Sequence, residues 1–271
     1  MTMLGRCAWP WASALGVLLG IGLVAGCANQ PLPGGSRDIV TASDETDAQK
    51  RARIRLELAS AYYAQGQATT ALDELKQALQ ADPNMPQAYN LRGLVYASMN
   101  EDQLAEESFR RALQLNPRDS DVMHNYGWFL CQRGRARDAD AQFDAAVAQP
   151  QYREATKSLL AKGVCQARAG DLAGAEQTLT RSYERDPGNP ATSVNLANVL
   201  FQRREYERAR FYIRRVNNVP QLANSETLWL AARIEHKLGN TTGAMEYGNQ
   251  LKQRYPQSRE AAAFERRRFD D

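Results

Sequence analysis

Residues 86–119 read PQAYNLRGLVYASMNEDQLAEESFRRALQLNPRD, and the spacing within these thirty-four residues decides the fold. Small residues stand where two helices must come close (Gly93, Ala105, Ala112), and aromatic residues fill the space beside them (Tyr89, Tyr96, Phe109). Pro117 follows the second apolar run, where it cannot continue a helical hydrogen-bond ladder. The stretch therefore predicts a helix–turn–helix unit. Pro83 stands thirty-four positions before Pro117, so the unit recurs. One such unit cannot bury its apolar face alone, and recurrence at a fixed period predicts stacked repeats with a continuous core.

Outward from this unit the same pattern marks a repeat at about 52–85 (Leu58, Ala59, Tyr62, Ala71, Leu75, Ala78, Pro83). Further repeats fall at about 120–153 (Tyr126, Gly127, Leu130, Gly134, Ala139, Phe143, Ala146) and 156–189 (Gly163, Gly170, Ala175, Leu179, Pro187). The last two are 190–223, more degenerate, and 225–258 (Ala232, Gly239, Ala244, Leu251, Pro256). Pro150 arrives one position early, and the phase slips by two residues before the fourth unit. Residues 259–269 carry Ala261, Ala262 and Phe264 among many charges, as expected of a helix that caps an open core with one face and meets water with the other. The pattern resembles the tetratricopeptide repeat, six times over.

Composition agrees with an all-α class: a TPR superhelical solenoid of about six helix–turn–helix repeats with a C-terminal capping helix. Helix formers dominate, and runs of β-branched residues are nearly absent. The 34 basic and 31 acidic residues give a net charge of +3 and are interspersed, which reads as a solvated surface and argues against nucleic acid as a partner. Arg266, Arg267 and Arg268 read as a solvated helix end.

The N-terminus reads as an address. After Arg6 an apolar run extends from Ala8 to Ala25, broken by Pro10 and several glycines. Its basic start and small-residue end fit a secretory signal peptide over 1–26. Val24-Ala25-Gly26-Cys27 resembles the lipobox of bacterial lipoproteins, which implies a lipidated Cys27. Ala28 at the next position implies the outer membrane and a periplasmic face; the other reading is an uncleaved anchor with a chance cysteine. Two or more acyl chains would hold the protein stably where one is marginal. Residues 27–47, rich in Pro, Gly, Ser, Asp and Thr, read as a flexible tether, and 48–271 as the repeat domain.

Catalytic constellations are not apparent. The two histidines, His124 and His236, lie far apart along the chain. No cysteine–histidine cluster has metal-ligand spacing, and neither a phosphate loop nor a nucleophile elbow occurs. Glu106–Glu107 and Asp119–Asp121 read as solvated carboxylates. The expectation is a binding scaffold rather than an enzyme, with no cofactor and no metal. With Cys7 in the signal and Cys27 lipidated, Cys131 and Cys165 remain, thirty-four residues apart on neighbouring first helices. In an oxidising compartment such a pair suggests a disulfide across the 150–155 junction; two independent buried thiols are the alternative.

The run Asn125-Tyr126-Gly127-Trp128-Phe129-Leu130-Cys131-Gln132-Arg133-Gly134-Arg135 is similar to a signature of the PilF/PilW type IV pilus biogenesis lipoproteins. Ala139, Phe143 and Ala146 follow, then Pro150-Gln151-Tyr152 and Gly163-Val164-Cys165. Lys162 departs from the asparagine usual before the last of these motifs. The resemblance implies a pilotin, an outer-membrane lipoprotein that binds the type IV pilus secretin and promotes its localisation or multimerisation, hence pilus biogenesis and twitching motility. The alternative is a general periplasmic TPR adaptor for outer-membrane protein insertion or for cell-wall enzymes. In a TPR array the first helices line a concave groove, and its rule of positions selects Tyr63, Asn90, Leu94, His124, Trp128, Leu160, Arg168, Asn198, Phe201, Trp229, Arg233 and His236. Aromatic and apolar groups mixed with amide and guanidinium donors suit a peptide or helix from a partner protein. Trp128 and Trp229 are the expected anchors.

Overall fold

The structure, a computed structural model, describes residues 44–270. The expected signal peptide over 1–26, the expected lipidation of Cys27 and most of the expected tether over 27–47 lie outside the described residues. Among the described residues every regular element is an α-helix, and no helix is long and apolar enough to cross a membrane. The helices form six hairpins, α1 (Asp47–Ala64) with α2 (Ala68–Ala81), α3 (Pro86–Ser98) with α4 (Asp102–Leu115), and α5 (Ser120–Gln132) with α6 (Ala136–Val147). The series continues with α7 (Ala155–Arg168) and α8 (Leu172–Arg185), α9 (Pro190–Gln202) and α10 (Tyr206–Asn217), then α11 (Ser225–Lys237) and α12 (Thr241–Arg254). A short α13 (Arg259–Glu265) closes the array.

Five of the six hairpins are held by one size match. Gly93 lies under the ring of Phe109, Gly127 under Phe143 and Gly163 under Leu179. A Cβ at Gly93 or Gly163 would overlap the facing side chain, and one at Gly127 would press hard on the Phe143 ring. At the same position repeats one and five carry Ala59 and Ala197, sixteen residues before the smaller Leu75 and Ile213. All of these residues are buried, and close packing of this kind tolerates little change in volume. Every turn between paired helices needs a left-handed residue at the same place. Gly66, Gly134, Gly170 and Gly239 meet this without strain, and Asn100 and Arg204 meet it at φ 60° and 64°.

First helices pack on the first helices of the next repeat, whereas second helices touch only their partner and the first helix that follows. The first helices are thus drawn together and the second helices fan outward, which bends the stack and puts the first helices on its inner face. Four buried clusters run along the array. Helix α7 joins two of them, with Cys165 and Ala161 against the α3–α6 core and Leu160 against the α8–α11 core.

Two joints depart from the regular pattern. Helices α6 and α10 have 12 residues where the other second helices have 14, and Pro150 and Pro220 sit in the longer links that follow. At the first joint, Tyr152 and His124 both hydrogen-bond the buried Ser158 hydroxyl, each at 2.8 Å. At the second, the Tyr255 hydroxyl donates to the Ala223 carbonyl at 2.7 Å and the Arg254 guanidinium donates to that of Pro220 at 2.9 Å. Here too Glu235, only 1% exposed, accepts from Arg214 and from the Asn240 side-chain amide, both at 2.7 Å. A buried carboxylate needs such partners.

Candidate functional site

The inner face is stitched across four of the five seams between first helices. The Tyr63 hydroxyl donates to the Leu94 carbonyl at 3.3 Å, and the Asn125 amide donates to Asn90 Oδ1 at 3.2 Å. Arg168 lies 5.3 Å from the Trp128 ring centre, and Arg233 lies 4.6 Å from that of Phe201. Such cation–π pairs are worth about 0.5–2 kcal/mol each, according to how far they are desolvated. Seven of the twelve expected groove residues make these contacts, and all but His124 are half-buried or exposed.

His124 is the correction. Only 8% exposed, it turns into the first joint, where Nδ1 meets the Ser158 hydroxyl and the ring stands edge-on to Phe143. Burial, with Lys157 nearby, pushes its imidazole down to about 4, so the ring is neutral at ordinary pH. The neutral ring, the Ser158 hydroxyl and the Tyr152 hydroxyl form one continuous chain of hydrogen bonds. A serine beside a histidine resembles a nucleophile with its base, but Ser158 is completely buried and no substrate can reach it. The trio fastens the joint.

Cys131 and Cys165 meet at the next point along the same seam, joined as a disulfide with Cα atoms 5.7 Å apart. The reason differs from simple periodicity. Counted from residues 120 and 156, Cys131 is the twelfth residue of its repeat and Cys165 the tenth, because the phase has slipped by two. Neighbouring first helices cross so that a twelfth residue meets a ninth or tenth: Tyr63 meets Leu94 and Phe201 meets Arg233 in the same way. The adjoining α6–α7 contact is polar. Lys162, 9% exposed, donates to Asp144 at 2.6 Å, and the Gln166 amide donates to Asp140 at 2.9 Å. Lys162 is therefore a tie between helices and not a groove residue.

At the far end the inner face is covered by the chain itself. After α13 the backbone turns through Arg267 at φ 56°, and the Phe269 ring stacks on His236 (centroids 4.2 Å apart) and lies 5.3 Å from Trp229. Arg233 Nε donates to the Phe269 carbonyl at 3.1 Å, and Lys237 pairs with Asp270. The expected cap of 259–269 is therefore a seven-residue helix followed by a strap. Arg266, Arg267 and Arg268 are exposed as expected, but Phe269 and Asp270 were not expected at the groove. Their signal was one apolar residue set among charges in a terminal Arg-Arg-Arg-Phe-Asp-Asp.

Comparison with known proteins fits this geometry. Tetratricopeptide-repeat models match residues 59–100, 86–119, 108–141, 130–190, 166–222 and 226–258. The type IV pilus assembly protein PilF of Pseudomonas aeruginosa is 28% identical over 254 residues, covering 93% of this chain and 97% of that protein. The crystal structure of PilW, a widely conserved type IV pilus biogenesis factor, superposes with a TM-score of 0.71 at 31% identity, over 79% of this chain and 97% of PilW. The chain belongs to the PilF/PilW family of TPR proteins. The PilF structure of Pseudomonas aeruginosa matches with a TM-score of 0.70 at 26% identity, over 82% of this chain and all of that one. A PilF/PilW-type chain is a stack of interaction repeats, and the geometry above is that of a surface for protein partners.

Proposed function

We propose that this PilF/PilW-type protein is a pilotin: a lipoprotein anchored through Cys27 in the outer membrane, facing the periplasm, that binds the secretin of the type IV pilus machine and promotes its multimerisation. The observation that carries this reading is likeness along nearly the full length to PilF, a type IV pilus assembly protein, and to PilW, a type IV pilus biogenesis factor. The protein acts as a non-enzymatic scaffold. Its first helices offer rings, amides and guanidinium groups to a segment of the secretin, as in other recognition of peptides by grooves. Half-buried Trp128, with Arg168 over its ring, is the anchor of the middle repeats. Lipidation at Cys27 places the folded repeats in an oxidising compartment, where the Cys131–Cys165 bond persists.

Affinity capture on the full-length protein in detergent tests the reading. Secretin is recovered with the wild-type chain, and Trp128→Ala reduces its recovery about tenfold or more, the scale of an interface anchor. Recovery of an outer-membrane insertion factor or a cell-wall enzyme in place of secretin would refute it.

A further inference from the structure

Two open clefts lie at this end of the array. One, of about 240 Å³, runs along α9 and α11 and is lined by Val194, Asn198, Trp229 and Arg233 together with the carboxylates of Glu226 and Glu260. The other, of about 570 Å³, is lined by His236, Met245, Lys252, Phe264 and Phe269 itself. Trp229 and Arg233 of the first cleft, and His236 of the second, are the residues that hold Phe269 and its carbonyl. Phe269 is 8% exposed although it follows three exposed arginines and precedes the exposed Asp270. The contacts are those of a bound peptide: a ring between Trp229 and His236, a main-chain carbonyl taken by Arg233, and a carboxylate taken by Lys237.

We propose that this end of the groove is a second binding site, specific for a partner segment with an aromatic side chain followed by an acidic one, and that residues 267–270 are its resident occupant. The tail shows the chemistry that the site accepts. A partner with the same two groups takes the place of Phe269 and Asp270 and reaches onward into the cleft beside Asn198. Phe269 follows the end of α13 after only three residues, so its effective concentration at the site is high, on the order of millimolar. The site is thereby reserved for a partner that binds with more than these two contacts, because apparent affinity falls in proportion to the fraction of empty sites. The inference rests on reading the inner face as the partner face, but its test does not involve the secretin, so the two fail separately.

The probe is a labelled peptide of the chain's own last residues, Arg-Arg-Arg-Phe-Asp-Asp, titrated into full-length protein in detergent. Phe269→Ala should bind the probe at least ~10-fold more tightly than the wild-type chain, since its own tail no longer competes. Adding Trp229→Ala, or replacing phenylalanine by alanine in the probe, should abolish binding. Hydrogen exchange on the wild-type chain gives a readout that does not depend on a variant folding. The amides of residues 267–270 should exchange far faster than those of α12, and faster still with excess probe. A folded Phe269→Ala protein that ignores the probe, or a tail protected as strongly as α12, would show that Phe269 is a fixed part of the core and overturn the proposal.

Discussion

At the scale of single residues, Arg204 is the misfit in an otherwise consistent design. Its φ of 64° is the left-handed turn that four of the other repeats give to glycine. Such a conformation costs a residue with a Cβ about 1–2 kcal/mol, and glycine gives part of that back through its freer unfolded state. Arg204→Gly should therefore stabilise the protein by about 0.5–1 kcal/mol in urea unfolding. His124 gives a prediction in pH. Its folded pKa lies near 4, below the ordinary value of about 6.5, so the unfolded chain binds the extra proton between these values. Stability is then full above about pH 6.5 and falls as the pH drops toward 4, by about 2 kcal/mol between pH 7.5 and pH 5. His124→Asn should remove most of that slope. Gly134, Gly170 and Gly239 were legible in the sequence as repeat markers because glycine is the usual answer to a left-handed turn, whereas Gly66 was not singled out. The burial of His124 was not, since the rule of positions assumes regular neighbours and cannot foresee Tyr152 and Ser158 closing over the ring.

At the scale of elements, the contacts between neighbouring helices decide what holds. Gly248 in α12 lies where any methyl group would overlap the ring of Phe264 on α13. Gly248→Ala should push the capping helix off, costing about 2–3 kcal/mol in the manner of overpacked cores and speeding hydrogen exchange in α13. The Cys131–Cys165 bond closes a loop of 34 residues in sequence, a constraint worth roughly 3–4 kcal/mol. A Cys131→Ser, Cys165→Ser double variant should lose about that much, and mass spectrometry of the unreduced wild-type protein should find no free thiol at either position. The helices themselves were readable from size alternation, because Gly93, Gly127 and Gly163 face Phe109, Phe143 and Leu179. The crossing that brings a twelfth residue to a tenth was not readable. It is a relation between two helices, and a repeat period describes only one at a time.

At the scale of the whole molecule, the array is a curved stack with the first helices on its inner face, and much of that face is already used to hold repeat to repeat. A partner therefore binds to groups fixed by the fold, which lowers the entropic cost of ordering them on association. Of the twelve residues chosen from repeat positions, His124 is turned into a joint, and several of the others already hold a neighbouring repeat. The rings of Trp229 and His236 both meet that of Phe269, a contact between α11 and a tail more than thirty residues later. The central claim is that the protein brings secretin subunits together at the outer membrane. The most direct measurement is the amount of heat-resistant secretin multimer in outer membranes from cells lacking this protein. The account predicts that the multimer falls to a small fraction of its normal level while secretin subunits persist, and that the wild-type gene restores it but Trp128→Ala does not. Multimer at the normal level and in the normal membrane without the protein would contradict it.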